Sequence, residues 1–259
     1  MAKGWAKFPY PDRKYLHTAA ALKKAWPRLH LGDQEPYPKD AAVREAWIAF
    51  HAGDFEKAAR AGLAAGGAGL TAANKATAIY ANYLEDNEKR KLALFEEVAA
   101  RAEQQQAAEP GNANAFYWQA YALGRYAQGI SIAKALAQGI GGKVKSALET
   151  AIRLAPKHAD AHIALAAYHA EVIDKVGSMI GGLTYGAKKD AALKLYETAL
   201  KLAPDSAIAR IECANGLVLL EGKKALARAE KLYAEAAAAR PLDAMERLDV
   251  ELAKSELED

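Results

Sequence analysis

One five-residue phrase constrains this chain more than any other feature. It reads small, aromatic, small, Leu or Ala, Pro, and it occurs as Ala192, Tyr196, Ala199, Leu202 and Pro204. It returns as Ala229, Tyr233, Ala236, Ala239 and Pro241. A weaker copy, Val144, Leu148, Ala151, Leu154 and Pro156, puts Val and Leu where the first small residue and the aromatic stand. Offsets of four, three and three place the first four residues on one face of a helix, and the proline ends that helix. Small residues on such a face let a neighbouring helix approach closely. A helix repeated in this way is half of a helix–turn–helix unit that buries its apolar face only against its neighbours. The chain is therefore expected to be all-α, a right-handed solenoid of helical hairpins.

A second regularity fixes the register. Ala120, Ala166 and Ala214 each lie ten residues after a repeat-ending proline, Pro110, Pro156 and Pro204. They mark where paired helices cross. Upstream, Asp40 to Ala52 reads as a helix capped by Asp40, with Trp47 and Phe50 inward, and Gly53-Asp54-Phe55 as the turn into a return helix ending near Ala65. Thr71–Leu84 and Asn87–Ala108 make the next pair, stopped by Pro110-Gly111; later pairs begin near Asn112, Lys157 and Asp205. A final helix from Leu242 to about Glu256 is acidic on its outer side and reads as a terminal cap.

Residues 1–39 differ in kind. Five of the nine prolines fall there, among Trp5, Phe8, Tyr10, Tyr15, Trp26 and Tyr37. This segment is expected to be a strap over one end of the solenoid, with a helix from Asp12 to Trp26, and residues 40–259 the solenoid itself. The strap carries eight Lys/Arg against three Asp/Glu, whereas residues 243–259 carry seven acids against two bases. That asymmetry reads either as two solvated ends or as a head-to-tail contact between chains.

The net charge of +3 is too small for a dedicated nucleic-acid binder. The single cysteine, Cys213, excludes an internal disulfide and reads as a buried thiol. No apolar run opens the sequence at Met1-Ala2-Lys3-Gly4-Trp5 and none is long enough to span a bilayer, so a cytoplasmic protein is expected.

The phrase Ala-x3-Tyr-x2-Ala with its closing Pro, and Ala46-Trp47 through Gly53-Asp54-Phe55-x2-Ala58, resemble the tetratricopeptide repeat over most of residues 40–241. That family's repeat is about 34 residues, whereas Pro110 to Pro156 spans 46, Pro156 to Pro204 spans 48 and Pro204 to Pro241 spans 37. Two central repeats are thus expanded. The added residues are alike, Ala137-Gln138-Gly139-Ile140-Gly141-Gly142 and Gly177-Ser178-Met179-Ile180-Gly181-Gly182, and each falls between the two helices of its repeat. This layout is similar to the T-component proteins of tripartite ATP-independent periplasmic transporters and, more distantly, to regulator of microtubule dynamics proteins.

The repeat resemblance implies that the first helix of each pair lines a concave face where a protein or peptide partner sits. By offset, that face takes Asn114, Tyr117, Tyr121 and Arg125 from one repeat, Asp160 and Glu171 from the next and Asn215 from the one after. Tyr and Arg are frequent interface anchors, and Arg125 is expected to be exposed. The inserts offer a second site. Ile130, Ile132, Ala133, Leu136 and Ile140, with Val172, Ile173, Val176, Met179, Ile180 and Leu183, either wall a pocket for a small hydrophobic ligand or thicken the core.

His158, Asp160 and His162 share a helical spacing, but no zinc-protease Glu or Cys cluster accompanies them. The Gly pairs lack the context of a phosphate loop, and nothing assembles a catalytic set. The sequence therefore reads as a non-enzymatic binding scaffold without cofactor or metal, or alternatively as a ligand carrier or transporter accessory.

Overall fold

The computed structural model describes residues 4–258; Met1–Lys3 and Asp259 lie outside the described residues, and with them part of the N-terminal segment read above. Among the described residues every regular element is helical. A 3-10 turn at Arg13–Tyr15 and helix α1 (Ala19–Leu29) form the N-terminal segment. Helical pairs follow: α2 (Ala41–His51) with α3 (Phe55–Ala65), then α4 (Gly69–Tyr83) with α5 (Glu88–Ala108). The third repeat is α6 (Ala113–Ile130), the short α7 (Ile132–Ala137) and α8 (Ile140–Leu154). The fourth is α9 (Ala159–Tyr185) with α10 (Lys189–Leu202), and the fifth is α11 (Ala207–Glu221) with α12 (Leu226–Ala237). Helix α13 (Ala244–Glu258) ends the solenoid.

Each start has a local cause. Asp40, Asp54, Asn87, Asn112 and Ser206 cap their helices by accepting from backbone N–H groups of the first turn. His158 does the same for α9 through its ring nitrogen. Asp12 and Thr18 also both cap, so the helix expected from Asp12 to Trp26 splits into a 3-10 turn and an α-helix begun at Ala19.

The repeated phrase does what its spacing predicts. Ala192, Tyr196 and Ala199 are buried, as are Ala120, Ala166 and Ala214 at the crossings. Tyr196 of α10 lies against Gly216 of α11, where any Cβ would overlap the phenol ring. Tyr233 is the exception. It is only half-buried and bonds to Asn215, because α13 alone comes after its repeat and no further hairpin covers the ring.

The backbone turns left-handed at Ser131 (φ 86°) ahead of the first insert, at Gly139 (φ 74°) within it, and at Gly177 (φ 79°, ψ 158°) where the second begins and α9 divides. Leu136 and Val172 point inward. Met179, Ile180 and Leu183 do not: they are 75%, 51% and 85% exposed, so the tip of the second insert neither walls a pocket nor thickens the core.

The strap packs on the first hairpin, where Phe8 stands edge-on to Phe55, but it is not confined to that end of the solenoid. It runs along the inner faces of α2, α4, α6 and α9. Trp5 stacks on Tyr80, Trp26 packs edge-on to Trp47, and Asp160 N–H donates to the carbonyl of Gly32. Helix α13 closes the other side: Arg28 pairs with Glu246 at 3.1 Å, and His51 with Asp243 at 2.7 Å. The basic and acidic ends of the sequence thus meet within one chain.

Candidate functional site

The strap and the solenoid are joined by a buried polar network. Lys75 sits in the middle of α4 and donates to Asp33 Oδ2 at 2.6 Å, and His30 Nδ1 donates to Asp33 Oδ1 at 2.9 Å. His30 Nε2 lies 3.3 Å from His51 Nε2, and His51 Nδ1 donates to Asp243. Burial works against ionisation of Asp33, but His30 and Lys75 outweigh it and hold the carboxyl well below the usual range.

Asn114 belongs to this network and is buried. Its Nδ2 donates to Glu35 Oε2 at 2.7 Å and to the Asp33 carbonyl, while its Oδ1 accepts from His158 Nε2 at 3.0 Å. The sequence placed Asn114 on the groove; here its hydrogen-bonding capacity is spent on holding the strap.

Beyond the strap, the concave face opens into a chamber with an empty volume of about 1040 Å³, its mouth included. Tyr117, Tyr121 and Arg125, one face of α6, line it together with Asp160 and Glu171 of α9. The inserts add Ile132, Leu136 and Ile140, and Glu212 and Asp249 enter from α11 and α13. Five of the seven residues expected on the concave face therefore converge on one space: all but Asn114 and Asn215, which is exposed outside it.

Arg125 is not the free side chain expected. It pairs with Glu212 at 2.8 Å and lies over the Tyr121 ring, 5.3 Å from its centroid. Tyr117 is only 7% exposed, and burial raises its phenol well above the ordinary value. Tyr83 donates to Asp249, and Gln128 donates to Glu171 at 2.6 Å. The walls are mostly apolar, so few polar groups fix the orientation of whatever enters.

Sequence reading missed His30, Asp33, Glu35, Lys75, Asp243 and Asp249. One signal was available: Asn74-Lys75 stands inside an otherwise small and apolar helix that is buried on nearly every side. Elsewhere, Cys213 is buried, which pushes its thiol up to about 11. His162 donates to the carbonyl of Pro156.

Burial makes the site pH-sensitive in a defined direction. Burial, reinforced by Asp33, pushes Glu35 up to about 8, and burial pushes Asp249 up to about 8. Both ionise near their ordinary values of 4.5 and 3.8 once unfolded, so the folded chain holds protons that the unfolded chain has lost. Stability from these groups is greatest in acid and falls as pH climbs toward 8. Burial lowers His30 and His158 from 6.5 to about 4, which acts oppositely and only below pH 6.5. Between pH 6.5 and 8 Glu35 and Asp249 are joined by Asp160, Glu171 and Glu246, each raised by burial to about 7, and all act in the same direction. Each contributes up to about 1.4 kcal/mol per pH unit. Calorimetry should show a lower melting temperature at pH 8 than at pH 6.5; a rise over that interval contradicts these assignments.

No protein-family model and no curated protein matches the chain. A solved structure does: a thermophilic tetratricopeptide-repeat protein of Thermus thermophilus, at 18% identity, with a TM-score of 0.56 over 83% of this chain and 97% of that one. The chain has a tetratricopeptide-like fold. At that identity the likeness concerns the fold alone. Among the described residues, no helix is long and apolar enough to cross a membrane.

Proposed function

We propose that this chain is a non-enzymatic recognition scaffold of the cytoplasm, binding a protein or peptide by seating an apolar group in the chamber. The observation that carries this reading is the convergence of Tyr117, Tyr121 and Arg125 from α6 with Asp160 and Glu171 from α9 on one space. Aromatic rings and a guanidinium lining a mostly apolar recess supply contact area and a few directional donors, the usual composition of an anchor site.

A second reading has its own support. The strap packs along α2 and α4, and the recess beyond it is walled mostly by apolar side chains of α6, α8 and α9 with few polar groups among them, the composition of a small-ligand site. A carrier of a small hydrophobic ligand, or a transporter accessory of the T-component kind, fits that composition.

Gly124 provides the test. It lines the chamber on α6, and a Cβ there meets nothing within 4 Å. Gly124→Leu therefore fills the space while removing a helix-interior glycine, which itself stabilises by roughly 0.5–1 kcal/mol. Wild type should bind the uncharged fluorophore phenylnaphthylamine at one saturable site and capture its protein partner. Gly124→Leu should lose both at an unchanged or higher melting temperature. Loss of partner capture alone places a protein contact at the chamber mouth, whereas retention of both shows that recognition occurs elsewhere.

A further inference from the structure

The large chamber is not alone. A second cavity, with an empty volume of about 560 Å³ that includes its open mouth, adjoins it under the strap, and Asp160, Ile208, Met245 and Asp249 line both. The two differ in chemistry. The first is apolar and aromatic; the second is ringed by carboxylates, among them Asp33, Asp205, Asp243 and Glu246.

The cations that face these spaces are already engaged. In the smaller cavity Lys75 is held by Asp33 at 2.6 Å and Arg28 by Glu246 at 3.1 Å, while Asp243 is taken by His51. In the larger one Arg125 is held by Glu212 at 2.8 Å. Lys175, near Glu171, pairs with Asp174. Two carboxyl groups at the junction make no ion pair among the described residues, although Lys75 acts on Asp160 from further off. Asp249 accepts only from the neutral Tyr83, and the Asp160 side chain has no hydrogen bond or ion pair among the described residues. The rings of Tyr83, Tyr117 and Tyr121 stand beside them, and aromatic faces attract cations.

We propose that the occupant of the chamber is a cationic amphiphile, an apolar body lodged between α6, α8 and α9 with a protonated amine at Asp160 and Asp249. This rests on the chamber being the recognition site. The amine belongs either to a free small molecule or to a lysine-bearing apolar peptide segment, and both present the same chemistry.

Such an occupant has a pH signature. Burial raises Asp160 to about 7 and Asp249 to about 8, so in the empty chamber both retain protons near neutrality. At Asp160 the Asp33 carboxylate adds to burial and Lys75 opposes it; at Asp249 the hydrogen bond from Tyr83 opposes burial, while Glu246, Asp243 and Asp160 add to it. An alkylammonium, with an unperturbed pKa of about 10.4, stays charged throughout. Its binding displaces the carboxyl protons and tightens as pH rises from 6 to 8. An anionic ligand behaves in the opposite sense.

The test is calorimetric titration of the full chain with dodecylammonium, dodecanol and dodecanoate, each below its micelle threshold, and with an acetylated Leu-Leu-Lys amide. At least one of the two amine probes should bind about tenfold or more tighter than the alcohol and the carboxylate. That advantage should vanish in Asp160→Asn and in Asp249→Asn, which keep size and shape, while the affinity for dodecanol is unchanged. Dodecylammonium alone showing the advantage assigns the site to a small amine, and the peptide alone assigns it to a peptide segment. Dodecanol binding with no preference for amine overturns this inference and leaves the chamber standing. Binding of none of the four overturns the chamber reading itself.

Discussion

Asp33→Ala should destabilise the chain by about 3–5 kcal/mol, the cost of breaking a buried ion pair so that one charge loses its partner. The stranded charge is Lys75, whose ammonium is 2.6 Å from Asp33 and only 5% exposed. Replacing Asp33 also removes the acceptor for His30 and for the Glu35 backbone N–H. Chemical denaturation measures the loss. Asp33→Ala combined with Lys75→Met should recover much of it, because burying an apolar side chain of similar length leaves no unpaired charge. A loss below about 1 kcal/mol, the level of a surface change, contradicts the burial of this pair.

Tyr196→Ala is expected to be comparably costly, about 3–5 kcal/mol, since truncating a large core aromatic loses its buried surface and leaves a cavity. Its ring lies on Gly216, so no neighbouring side chain stands ready to fill the space. Tyr233→Ala, at the half-buried equivalent, should cost clearly less. Equal losses at the two positions contradict the description of the last repeat as uncovered.

That pair of tyrosines shows what the sequence could and could not carry. Ala192, Tyr196 and Ala199 were legible because helical periodicity and a terminal proline are local signals, and local spacing fixes which side of a helix is buried. The same spacing at Tyr233 said nothing about whether another hairpin packs on the ring. The spacing of Tyr117, Tyr121 and Arg125 is a signal of the same local kind, and all three line the chamber. The pairings that decide their role were not legible. Asp33 with Lys75, Glu35 with Asn114 and His51 with Asp243 join residues 42, 79 and 192 positions apart. No periodic pattern encodes such contacts. The proline- and aromatic-rich composition of residues 1–39 set that segment apart, but composition has no direction and could not say that its contacts run on to α4, α6 and α9. Met179 and Leu183 misled for a similar reason, since apolar spacing marks a helix face without saying whether anything packs on it.

Where the strap lies decides whether the chain presents an open groove or a chamber. Gly32 and Asp160 give the most direct access to the strap's position, because a Cβ at Gly32 would stand 3.0 Å from Asp160 Cγ. The chain's one native thiol, Cys213, is buried and does not compete. In the double variant Gly32→Cys, Asp160→Cys, mild oxidation should form an intramolecular disulfide rapidly and nearly completely, detected as a mass loss of about two hydrogens and a faster-migrating band without reductant. Two thiols that remain free and separately alkylated would place the strap outside the concave face and contradict the account.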